Sequence, residues 1–263
     1  MCLGPPATPR PAAPRPTVLR GAPLMALPRE EPSYNTTVHC MGRVMDLADF
    51  RGEFLEALDR EDRAACVEMA IHRLEMGHTD VLSLYREVLA PALNEWQCKE
   101  ADADICVWRE HVRTSIVRTV VEAAYPYVVK EAARRNLAKG KGARVAVLCP
   151  PDELHELGAR MVADFFTLAG FEATFVGAST PIDDFVAALG QIKPRYVAIS
   201  VTSPYNLIAL RKTIERIRGK VPEGTKVIVG GRAVAHDPDL ARRIGADMVM
   251  ATFEEISKLP GGG

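Results

Sequence analysis

Apolar residues follow two different rhythms along the chain. From Asp46 onward they recur at helical spacing, at Phe50, Leu55 and Leu58, then at Ala65, Val67, Met69, Ala70 and Leu74, with charges between them. Asp59 to Asp62 breaks this stretch into two helices, and Gly77 stops the second. Thr79 is placed to cap a third helix, "DVLSLYREVLAPALNEWQ" at 80–97, which Pro91 should kink. A fourth pattern, "ICVWREHVRTSIVRTVVEAAYPYVVKEAARRNLA" at 105–138, sets Val112, Ile116, Val120 and Ala124 four apart on one face. Four helices with short connections predict an up-and-down bundle over residues 45–138.

"KGKGA" at 139–143 reads as a hinge, and beyond it the period changes. Strands are predicted at 144–149, 172–177, 196–201, 226–231 and, more weakly, 247–251. Helices fall between them near 155–169, 182–190, 205–218 and 238–244. Alternating strands and helices predict an α/β fold over 139–263, a doubly wound parallel sheet of Rossmann or flavodoxin type. The near-continuous apolar strands fit burial on both faces. Ligands of such sheets bind beyond the carboxyl ends of the strands, so chemistry is sought after Cys149, Val201 and Val229.

Composition narrows the classes. The 263 residues are 48% apolar and 25% charged with a formal net charge of −1, which gives no basic stripe for nucleic acid. No apolar run approaches the roughly 18 residues of a membrane span. The six cysteines are scattered without a C-x-x-C pair or zinc spacing, so free thiols and a cytoplasmic compartment are expected. Residues 1–44 are rich in proline and lack the apolar core of a secretory signal. They read as a disordered tail, or as sequence upstream of a start at Met25 or Met41.

The first predicted strand is followed by "PPDELHELG" at 150–158. Pro150, Pro151 and Asp152 should keep the backbone extended until the helix begins, leaving His155 at the mouth. Glu153, two residues earlier, can hydrogen-bond one ring nitrogen of His155, which fixes the tautomer and leaves the other nitrogen for a metal. Gly158 lets a bulky group approach the helix. Alone, an E-x-H-x-x-G pattern reads more simply as a capped helix with an exposed histidine. The other strand ends change the balance. Ser200 and Thr202 place hydroxyls after the third strand, and Gly230 and Gly231 remove side chains after the fourth. Together these outline a narrow slot with a metal ligand at its rim. No G-x-G-x-x-G follows the first strand, and no nucleophile elbow is present.

Residues 153–158, 200–202 and 230–231 resemble the Asp-x-His-x-x-Gly, Ser-x-Leu and Gly-Gly signature of cobalamin-binding domains, with Glu153 for the aspartate and Thr202 for the leucine. The resemblance spans about 45–255. It implies that His155 is the lower axial ligand of cobalt, in place of the cofactor's own dimethylbenzimidazole. The displaced nucleotide tail then lies beside Ser200, Thr202, Gly230 and Gly231. In the bundle, Trp96 with Glu110 and His111 is similar to the tryptophan and Glu-His pair that covers the upper face of adenosylcobalamin in light-sensing B12-dependent regulators. Here the tryptophan is set further from the pair, Trp108 competes for the capping role, and Gln97 replaces the histidine that follows the tryptophan in those photoreceptors.

Two functions follow from the resemblance. In one, the chain is a sensor or photoreceptor module that binds adenosylcobalamin and signals to a protein partner such as a transcription regulator. In the other it is a corrinoid methyl carrier, loaded as methylcobalamin and served by methyltransferases. Thr180-Pro181 after the second strand favours the regulators. Neither makes this chain an enzyme by itself, direct nucleic-acid or membrane binding is not expected, and a homo-oligomer is allowed. A cobalamin-free interaction module is the third reading, opposed by the joint presence of His155, Ser200 and the glycine pair.

Overall fold

The computed structural model describes residues 45–135, 142–235 and 237–262. The proline-rich stretch at 1–44, with Cys2 and Cys40, and residues 136–141, which include the first part of the expected hinge, lie outside the described residues. Among the described residues no helix is long and apolar enough to cross a membrane.

Helices α1 (Leu47–Asp59) and α2 (Arg63–Glu75) are separated where the aspartates predicted a break. The reversal is built by Glu61 at φ 58 and by Asp62, whose carboxylate accepts from the Ala65 N–H at 3.0 Å. Side-chain oxygens at this position satisfy one of the orphan donors of the first turn. The third helix is capped by Asp80, accepting from Ser83 N at 2.7 Å, and not by Thr79. It runs as α3 (Val81–Ser83), a π-helical stretch Leu84–Leu89, and α4 (Ala90–Asn94). Where Pro91 was expected to kink the helix, a π-helical stretch lies on its N-terminal side. Pro91 lacks an N–H and its ring would crowd the carbonyl four residues back; the widened turns before it, with Ala90 N–H reaching Tyr85 O, absorb that conflict. A short 3₁₀ turn (Glu100–Ile105) leads into the long α5 (Cys106–Arg135).

The second half forms a five-stranded parallel sheet, β1 (Arg144–Leu148), β2 (Glu172–Gly177), β3 (Tyr196–Ser200), β4 (Lys226–Gly230) and β5 (Met248–Val249), in the order β2-β1-β3-β4-β5. Helices α6 (Leu157–Leu168), α7 (Ile182–Ile192), α8 (Leu207–Arg218) and α9 (Pro238–Arg243) connect successive strands, and α10 (Phe253–Ser257) follows β5. Side chains alternate across the sheet. Val145 and Val147 pack with Phe166 of α6 and Ile256 of α10, whereas Ala146 and Leu148 pack with Leu189 of α7 and Leu210 of α8. The order in which strands are added reverses between the parallel neighbours β1 and β3, so the loops leaving them part to opposite faces.

The bundle rests on the outer side of α6, where Leu157, Met161 and Leu168 join the bundle core. A buried polar joint crosses the seam. Arg160 of α6 meets Asp164 at 2.5 Å and Glu122 of α5 at 3.1 Å, and Tyr85 O–H donates to Asp164 Oδ2 at 2.9 Å. Burial pushes the Asp164 carboxyl up even against Arg160, and burial holds the Tyr85 phenol protonated. Tyr85→Phe keeps the packing and strips one donor from a buried carboxylate. It should lower unfolding free energy by roughly 1–3 kcal/mol, with an unchanged denaturant slope in a urea titration; an unshifted midpoint would show that the bond contributes nothing.

Candidate functional site

The loop after β1 is not extended as expected. Asp152 adopts φ 67, in the left-handed region, and turns the chain. Such a turn is open to an aspartate at modest cost. It drives Glu153 inward to complete burial and leaves the His155 ring 58% exposed. Neither Asp152 nor Glu153 caps α6, whose N-terminus has no side-chain cap. The simple reading of a capped helix therefore fails, because Glu153 has other partners.

Its Oε1 lies 2.6 Å from His155 Nδ1 and accepts from the His155 backbone N–H at 3.0 Å. Its Oε2 accepts from the N–H groups of Thr202 and Ser203, each at 2.9 Å, and from Asn206 Nδ2 at 3.1 Å. Burial alone would raise this carboxyl; the donors from Ser203, Asn206, His155 and Thr202 outweigh it and hold the pKa at about 2. An ionised carboxylate only accepts, so Nδ1 carries the imidazole proton. The Nε2 lone pair is then left facing outward, as a ligand to an electrophile requires. Asn206 and the backbone of 202–203 were invisible in the sequence, since their role depends on the β3 loop folding back under the β1 loop. The single readable hint was an amide directly before α8.

The next residue ties this loop to the bundle. Glu156 accepts from Arg118 of α5 at 2.9 Å and from the Ala178 N–H, after β2, at 2.8 Å.

A cavity of about 750 Å³ opens between the carboxyl ends of the strands and the bundle. Its sheet side is formed by Gly158, Ser200, Thr202, Gly230 and Gly231, and its bundle side by the π-helical stretch at Tyr85–Glu87 and by Asn94. A side chain at Gly158 would meet nothing within 4 Å, so that position is open toward the space. Gly231, at φ 94, lies so close to Val201 that an added Cβ would be 2.2 Å from its carbonyl oxygen, and one at Gly230 would be 2.6 Å from Met250 O. The two glycines are obligatory for the chain itself. The residue set fits a bulky cofactor with an arm: an outward imidazole nitrogen, a bare helix start, and a largely apolar cavity with the Ser200 and Thr202 hydroxyl residues on its wall.

The bundle candidates are not gathered in the same way. Trp96 sits in a separate recess with Asp59 and Arg113, whose guanidinium is 6.0 Å from the indole. Glu110 and His111 are exposed near the start of α5, and Trp108 is 66% exposed beside His111. His111 lies seven residues before Arg118 and eleven before Glu122, on the helical stripe that reaches α6. The expectation of free thiols needs correction. Cys66 and Cys149 are free and buried, but Cys98 and Cys106 form a disulfide with Cα atoms 5.7 Å apart. No C-x-x-C motif marks it, because the 3₁₀ turn folds a wider spacing into bonding range. Burial pushes the Cys149 thiol up to about 12 and that of Cys66 to about 11, so both are inert at neutral pH.

Residues 143–258 match the family described as B12 binding domain. The chain is 25% identical over 180 residues to the HTH-type transcriptional repressor CarH of Myxococcus xanthus, across 68% of this chain and 57% of the repressor. It is 31% identical over 118 residues to the trimethylamine corrinoid protein of Methanosarcina barkeri, across 44% of this chain and 52% of that protein. The chain thus spans about half the length of the curated relatives it matches. The solved monomethylamine corrinoid protein of Methanosarcina barkeri shares the fold, with a TM-score of 0.66 at 17% identity over 80% of this chain and 96% of that one. Residues 143–258 accordingly carry the B12 binding domain.

Proposed function

We propose that His155 binds the corrinoid cobalt through Nε2 from below, with the cofactor's own base displaced into the cavity, and that the chain acts as a B12-dependent sensor module. The observation that carries the first part is the Glu153 carboxylate, fully buried yet ionised, holding the proton on Nδ1. A buried charge is costly without partners. Two backbone N–H groups and Asn206 meet that cost, and the result is one imidazole nitrogen presented in a fixed tautomer. Gly158 leaves room for a macrocycle over the helix start, and the space bounded by Ser200, Thr202, Gly230 and Gly231 takes the tail.

A bound corrinoid supplies a cobalt centre whose upper organic ligand can be lost to light or handed to an acceptor. The chain's contribution is mechanical. His155 is joined to Glu153, Glu153 to the β3 loop, and the adjacent Glu156 to Arg118 of α5, so a displacement at the imidazole reaches the bundle through ion pairs and hydrogen bonds. Sensing of adenosylcobalamin is supported by the similarity to the CarH repressor, whose 180 aligned residues extend beyond the B12 binding domain into the bundle. In this arrangement Trp96 is held against Arg113, and the covering of the upper face rests on Glu110 and His111 at the head of α5. The methyl-carrier reading, with methylcobalamin and methyltransferase partners, is favoured by the identity to the trimethylamine corrinoid protein.

In the corrinoid complex, His155→Ala should change the visible spectrum to that of a water-ligated or self-ligated corrinoid; the same spectrum in variant and parent would refute axial ligation. Illumination with green light of the adenosylcobalamin complex should alter its spectrum together with oligomeric state or partner affinity. Rapid methylation by a cognate methyltransferase with no response to light would establish the carrier instead.

The Glu153 carboxyl sits below its ordinary value of 4.5, so the stability it contributes is fully present above about pH 4.5 and is lost as pH falls toward 2. Glu153→Gln turns an amide toward N–H donors and should cost roughly 2–3 kcal/mol near neutrality. Denaturant unfolding at pH 6 and pH 3 should show this gap between parent and variant shrinking at the lower pH; a constant gap would mean that the charge is not what the loop depends on.

A further inference from the structure

Two arginines line the cavity, each reaching from one half of the fold to the other. Arg86, on the π-helical stretch, meets Glu254 of α10 at 2.6 Å, so its charge is answered by a carboxylate. Arg232, directly after the obligatory glycine pair, donates from Nη2 to the amide oxygen of Asn94 at 3.2 Å. Among the described residues no carboxylate lies within ion-pair distance of Arg232. One bridge is neutral overall and the other leaves a positive charge over at the cavity wall. Glu87, also on the bundle wall, places a carboxylate on the opposite side from Arg232.

We infer that Arg232 reads the phosphodiester of the corrinoid's nucleotide loop, and so selects complete cobalamins over corrinoids that lack the loop. This rests on the corrinoid reading above. The amide side chains of a cobalamin's corrin ring are neutral, and its one anionic group in the arm is that phosphodiester. A guanidinium presents parallel N–H groups that match two non-bridging oxygens, and such charge-assisted pairs are about twice as strong as neutral ones. Asn94 engages only Nη2, so the other guanidinium nitrogens remain as donors. The backbone at Gly231 fixes where Arg232 can stand, because no side chain can enter between it and Val201. The arm is therefore met by a cation and by Ser200 and Thr202 on the wall of the same cavity.

The competing explanation is that Arg232 only fastens sheet to bundle through Asn94. Dissociation constants of cobalamin and of cobinamide, a corrinoid with neither nucleotide nor phosphodiester, separate the two for the full chain and its variants. Arg232→Gln should weaken cobalamin by about tenfold and leave cobinamide within about twofold. Asn94→Ala, which breaks the bridge and keeps the charge, should leave the preference for cobalamin intact. Equal losses for both corrinoids in Arg232→Gln, no loss for either, or loss of the preference in Asn94→Ala would each overturn the assignment. If the unsubstituted chain bound neither corrinoid, the proposed function itself would fall, a result distinct from any of these.

Discussion

A single carboxylate with no exposed surface holds the ligand end of this protein together. Glu153 leaves β1 and is gripped by the loop leaving β3, at the point where the connections of a parallel sheet part to opposite faces. That divergence creates the crevice in which such folds bind ligands. It also leaves two loops with no regular structure to steady them. Here they are steadied by charge: five donor groups from four residues converge on one side chain, and the histidine is the one residue among them whose side chain looks outward. Order in the loops and presentation of the imidazole are thus a single event.

The second organising contact is between the halves. The bundle and α6 share apolar core, but the seam also carries a chain of contacts from buried Tyr85, Asp164 and Arg160 out to Glu122 at the surface. Buried ionic groups are weak sources of stability and better devices for fixing a unique arrangement. Tyr85 belongs both to this chain and to the cavity wall, so the width of the cavity depends on the docking of the bundle.

Much of this was legible in the sequence, for reasons that can be named. All five strands appear within two residues of the positions set by their apolar runs, most plainly the central β1, β3 and β4, whose burial on both faces leaves near-continuous apolar runs. The helix break at Asp59–Asp62 was readable because capping chemistry is local. What escaped depends on contacts distant in sequence. The partners of Glu153 lie about fifty residues downstream and include backbone groups that any residue could supply. The disulfide needed a 3₁₀ turn to close it, and the left-handed turn at Asp152 was masked by the two prolines before it. At Pro91 the residue signalled the local conflict, but not that the helix would widen into π-helical turns just before it.

The glycine pair after β4 bears on how this cavity could be retuned. Backbone carbonyls of neighbouring strands occupy the places where side chains at 230 and 231 would begin. That part of the floor is closed to mutational variation, whatever ligand is under selection. Adaptation to a bulkier or smaller arm must then come from Ser200, Thr202 or the bundle wall, so the invariant and the adaptable parts of the same hollow are set by backbone contact and by side chain respectively.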